Sequence, residues 1–77
     1  MQVVINGVTQ DKVAKAMAEI AKAGGQVRGI NFAVPTPLGQ VVGYYNLVGT
    51  ELTITITNKP FLVPAGTLES KLREFFA

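Results

Sequence analysis

Two alternating runs joined by Gly49-Thr50 constrain this chain more than any other feature in it. Residues 40–48 read QVVGYYNLV and residues 51–58 read ELTITITN. Both are rich in β-branched and aromatic side chains, and both alternate with the period of a strand that buries one face. Glycine followed by another residue suits a two-residue type II′ turn, whose first position needs a positive φ. That turn sets a register. Val48 faces Glu51, Leu47 faces Leu52, Tyr45 faces Ile54, Gly43 faces Ile56 and Val41 faces Asn58. The other face pairs Asn46 with Thr53, Tyr44 with Thr55 and Val42 with Thr57. Both strands then agree on which face is apolar, whereas a slip of one residue would set them against each other.

The flanking segments supply the remaining elements. Residues 3–5 read as a first strand stopped by Asn6-Gly7. Thr9 offers a hydroxyl N-cap, and Asp11 falls in the first turn, where the helix dipole favours an anion. Val13, Ala14, Met17, Ile20 and Ala21 then recur at helical spacing, with Lys12, Lys15, Glu19 and Lys22 opposite and Gly24-Gly25 as the stop. Residues 26–34 read as one strand whose stronger apolar phase is Ile30, Phe32 and Val34. Pro35-Thr36-Pro37-Leu38-Gly39 breaks it, because two prolines withdraw two backbone donors. Residues 59–63 lead to a last helix opened by Pro64 or capped by Thr67, with Ala65, Leu68, Leu72, Phe75 and Phe76 as its apolar stripe.

The expected order is β-α-β-β-β-α: one α+β domain over residues 1–77, a two-layer sandwich with a mostly antiparallel sheet and both helices packed on one face. Ile30, Phe32, Tyr45, Leu47, Leu52, Ile54 and Ile56 supply that face. If the first two strands are parallel neighbours, the helix between them crosses over right-handedly. The sequence contains no internal repeat, linker or low-complexity tract.

Composition says how such a domain must be held together. The chain has 77 residues and no cysteine, so no disulfide staples it. Apolar residues make up 48% and charged residues only 16%, against about 25% charged in an average soluble domain. That surplus implies a well-filled core or an apolar surface that a partner covers, and self-association is the simplest cover. No run approaches the ~20 apolar residues of a membrane span. Met1-Gln2-Val3-Val4-Ile5-Asn6 lacks the basic start and apolar core of a signal peptide, so the cytoplasm is the expected setting.

The same inventory narrows function. Without cysteine or histidine there is no thiolate nucleophile, and the commonest metal ligand is missing. The acids Asp11, Glu19, Glu51, Glu69 and Glu74 are dispersed, and Ser70 has no histidine base. Gly24-Gly25 follows a helix instead of opening one, so it is no phosphate cradle, and the dinucleotide and P-loop glycine patterns do not occur. No catalytic, cofactor or metal residue is assigned, and an enzyme is not expected. Seven cations against five anions leave a net charge of +2, but they are scattered. They lack the interleaved aromatics of a stacking surface, so nucleic acid is not an expected partner.

What remains is the sheet face away from the helices. It carries Val42, Tyr44, Asn46, Thr53, Thr55 and Thr57, with Val27 and Asn31 as candidate further members. A solvated face looks much the same, since threonine favours strands. As an interaction surface it has Tyr44 as its anchor. The expected function is a small non-enzymatic structural or protein-interaction domain, associating with itself through this face or with another protein. The alternative is a small-ligand or lipid-binding module using the aromatics near the last helix and the proline loops: Tyr44, Tyr45, Phe61, Phe75 and Phe76. Leu38, Phe61 and Leu62 are expected to fold back and cap the core, because a small domain rarely leaves such residues bare.

Overall fold

Gly29 and Gly49 both take φ near +60° (59° and 61°), and at each the chain reverses into a hairpin. A computed structural model describes residues 1–76, in the order β1 (Gln2–Ile5), α1 (Gln10–Lys22), β2 (Gln26–Arg28), β3 (Asn31–Thr36), β4 (Gly39–Val48), β5 (Glu51–Asn58) and α2 (Ala65–Phe75). The strands form one sheet in the order β1-β5-β4-β3-β2, and every neighbouring pair is antiparallel. The α+β class expected from the sequence is the one observed.

At Gly49 the expected hairpin forms, with Val48 opposite Glu51 and Leu47 opposite Leu52. Among the described residues only glycines take a positive φ, so Thr50 keeps a negative one and the turn has the II′ sense. The register holds as far as Gly43 and Ile56, then shifts: Val42 lies opposite Asn58, not Thr57. Thr57 is the extra residue of a bulge, and its hydroxyl donates to the Val42 carbonyl at 3.2 Å. Bulges re-aim side chains and sharpen twist. Gly43 stands beside this one because a Cβ there would fall 2.4 Å from the Thr55 carbonyl oxygen and 3.2 Å from Phe32 Cζ.

Residues 26–34, expected as one strand, are two. Arg28 pairs with Asn31 across Gly29-Ile30, the same glycine-first signature as Gly49-Thr50. Ile30 is therefore a turn residue, 50% exposed, and not part of the core face assigned to it from its alternation. The reversal also places Val27 opposite Phe32, so Val27 packs against the core and does not join the open face. β3 then runs through Pro35 to Thr36. The Tyr45 N–H donates to the Ile30 carbonyl, and the alternation that follows turns the Pro35 nitrogen away from β4. β2 starts opposite Ala33, so the missing N–H lies beyond its end and breaks no ladder bond.

β1 lies beside β5 at the far edge from β2, not parallel to it. Val3 opposite Ile54 and Ile5 opposite Leu52 cover β5 on its second flank, and Val3, Leu52 and Ile54 are essentially inaccessible. α1 starts as expected, with the Lys12 amide donating to Thr9 Oγ1 at 3.2 Å. Its buried stripe is Val13, Ala16, Met17 and Ile20; Ala14 and Ala21 are exposed. The helix is rotated toward Ala16 because Phe76, 4% exposed, shares a crevice with it. α1, Phe76 and the inward sheet face thus form one core.

Candidate functional site

The covering of that core is uneven. α1 seats four buried residues, but in α2 Leu68 and Leu72 reach only half burial and Phe75 remains 45% exposed. α2 is held at its C-terminal end, where Phe76 inserts and Arg73 Nη1 donates to the Val4 carbonyl at 3.1 Å. At its start, Pro64 takes an extended conformation and contributes no side-chain cap. Between the two helices lies a cleft of about 490 Å³. Met17 and Ile20 of α1 form one wall, and Leu68, Leu72 and Phe75 of α2 form the other. Phe32, Val34 and Val41 make the floor, with Val63 at one end. Its polar members are Thr36, Thr67, Lys71 and Glu74. The Thr36 hydroxyl is already committed, donating to the Gly39 carbonyl at 2.6 Å and accepting from the Leu38 amide at 3.2 Å. Lys71 and Glu74 form an exposed pair at 3.8 Å.

The loops at one end of this cleft correct an expectation. Leu38, Phe61 and Leu62 do not cap the core; they are 55%, 95% and 69% exposed. The reason is local geometry. The Val63 amide donates to the Pro60 carbonyl at 3.1 Å, closing a turn with Phe61 and Leu62 at its two corner positions. Lys59 Nζ ties the same turn to the Val63 carbonyl at 2.8 Å. Corner side chains of a tight turn point away from the body that the turn returns to, whatever their polarity.

The uncovered sheet face assembles most of the residues expected there. Tyr44 stands opposite Thr55, and Asn46 opposite Thr53. Asn31 joins them opposite Tyr44, and Val42 is half-buried beside Ala33. Thr57 is drawn into the bulge at the row's end. Gln2, Val4 and Arg28 belong to the same face and escaped the sequence reading. Gln2 and Val4 were legible, since buried Val3 and Ile5 put them in the outward phase. Arg28 was not, because its side depends on the Gly29-Ile30 turn. One row runs across all five strands: Gln2, Thr55, Tyr44, Asn31, Arg28. Of the aromatics considered for a ligand site, Phe75 and Phe76 line the cleft, Tyr44 lies on the opposite face, and Phe61 projects into solvent.

Among the described residues no three His, Cys, Asp or Glu side chains are grouped as for a metal ion, and no helix is long and apolar enough to cross a membrane. No protein-family model, no curated protein and no solved structure matches the chain.

Proposed function

We propose that this protein is a non-enzymatic binding module that holds a small apolar ligand, of the size of a single acyl chain, between α1 and α2. The carrying observation is the cleft: about 490 Å³, walled by aliphatic and aromatic side chains. Ligand sites commonly run to about 300–1,000 Å³ with few polar groups, and this volume falls in that range. A small domain gains from closing such a space, since each buried CH₂ is worth about 0.8 kcal/mol. Here the Arg73 clamp and the buried Phe76 hold one end of α2, beside the cleft. The apolar walls orient nothing by charge, so the site selects by length and girth.

Titration with a fluorescent fatty acid tests this reading. The expected result is saturable one-to-one binding that is abolished in Leu68→Trp, where an indole fills the cleft. Equal binding by the wild type and Leu68→Trp overturns it, as does an absence of saturable binding.

A second reading is favoured by a separate observation: Val4, Tyr44 and Val48 are 43%, 39% and 68% exposed on the uncovered face. That face is a candidate for self-association, with Tyr44 central in its row. Sedimentation equilibrium decides it: a dimer that Tyr44→Lys dissociates supports the reading, and a monomer at high concentration ends it.

A further inference from the structure

The two turns at the open end of the cleft carry residue types that turns seldom carry. Corner positions are dominated by Gly, Pro, Asn, Asp and Ser. Here Phe61 and Leu62 occupy both corners of one turn, and Leu38 follows Pro37 in the other. The turns stand side by side, since a Cβ on Gly39 would lie 3.2 Å from Pro60 Cγ. Both are also tied down, one through the Thr36 hydroxyl and the other through Lys59. The result is a preordered apolar tip, 95% exposed at Phe61. Preordering removes much of the entropy that docking otherwise costs.

Charge bears on what the tip meets. The sequence has no Asp or Glu between Glu19 and Glu51, and none between Glu51 and Glu69. Those stretches include both turns, the end of α1 and the start of α2, and they contain Lys22, Arg28 and Lys59. α1 closes at Lys22, and the chain re-enters the sheet at Gln26, opposite Ala33, toward this same end. Lys59 sits at the base of the Phe61–Leu62 turn. An apolar tip with Lys59 at its base and Lys22 toward the same end, in stretches of chain that carry no Asp or Glu, matches the layering of an anionic bilayer: acyl chains below, phosphates above.

We infer that the protein docks on anionic lipid surfaces by inserting Phe61, Leu62 and Leu38, with Lys22 and Lys59 at headgroup level. Thr36 and Val63 line the cleft at this end, so docking brings the cleft mouth to the lipid. The cargo part of this picture, a single-chain lipid entering from the surface, rests on the cleft reading; the docking itself does not.

Flotation with vesicles separates the possibilities. Vesicles of phosphatidylcholine mixed with phosphatidylglycerol are expected to bind the protein and pure phosphatidylcholine vesicles much less, with binding weakened by added salt. The double variant Phe61→Ser/Leu62→Ser, which alters only exposed side chains, should lower affinity at least tenfold. Lys22→Gln should lower it about fivefold. Leu68→Trp should bind vesicles like the wild type while losing the fatty-acid probe, so docking and cargo fail separately. An absence of flotation with either vesicle overturns the inference, as does flotation unaffected by Phe61→Ser/Leu62→Ser. A dimer in solution that dissociates with those two substitutions also overturns it, because the tip then belongs to a second copy of this chain.

Discussion

Arg73 Nη1 donates to the Val4 carbonyl at 3.1 Å, joining α2 to the outer edge of β1 across 69 positions of sequence. The same side chain accepts nothing in return but is steadied within the helix, Nε donating to Glu69 Oε2 at 3.2 Å. The bond does two things. It occupies an edge-strand carbonyl that would otherwise invite another strand, and it fixes the far end of the helix that forms one wall of the cleft.

Arg73→Gln should therefore loosen α2 without unfolding the sheet. The bond is solvent-exposed, so its loss costs about 0.5–1 kcal/mol. Hydrogen exchange reads this directly: amides of α2 exchange before those of α1 and β5 in the wild type, and several-fold faster still in the variant. Unchanged α2 exchange in Arg73→Gln removes the clamp from the account.

Phe76 and Phe75 are adjacent, with ring centroids 5.5 Å apart edge to face, yet only Phe76 is buried. Phe76→Ala should cost about 3 kcal/mol, the lower end for a buried phenylalanine, whereas Phe75→Ala should cost less than about 1 kcal/mol. Urea unfolding of the two variants compares them. Equal losses would mean that Phe76 does not anchor the helix.

Gly43→Ala tests the close approach beneath Phe32. The added methyl would meet the Thr55 carbonyl oxygen at 2.4 Å, and that atom belongs to a paired strand that cannot retreat cheaply. A destabilisation of about 2–3 kcal/mol is expected, at the upper end for overpacking. A stability loss of only about 0.3 kcal/mol in urea unfolding would show that the bulge beside it absorbs the methyl.

Ile30→Asn separates a turn from a strand. With Ile30 half-exposed after Gly29, the change should move stability by less than about 0.5 kcal/mol, as for ordinary surface sites. If residues 26–34 were one strand with Ile30 inward, the same substitution would bury an amide and cost several times more. Thermal unfolding distinguishes the two.

The contrast between the two glycine turns explains how much could be read in advance. Gly49-Thr50 was recognisable because long alternating runs flank it on both sides, so its register was over-determined. Gly29-Ile30 has the same local chemistry, but only Gln26–Arg28 precedes it, too short a run to show a period. Alternation continued across the turn by chance and made Ile30 look inward. The open face followed the same logic: Tyr44, Asn46, Thr53 and Thr55 were legible from one hairpin, whereas Arg28 and Val27 changed sides with the missed turn.

Local chemistry in the sequence by itself determined the elements with short-range causes: the Thr9 cap, the glycine stop of α1, the Gly49 hairpin and the absence of any thiol or imidazole chemistry. Tertiary structure alone decided the rest. It placed β1 beside β5, rotated α1 toward Ala16, and left α2 clamped at one end above an open cleft. Periodicity says that a helix or strand has an apolar side, but not which partner that side meets. That choice depends on which apolar surfaces are still unburied once the strongest hairpin has formed, and on where an anchor such as Phe76 can enter between them.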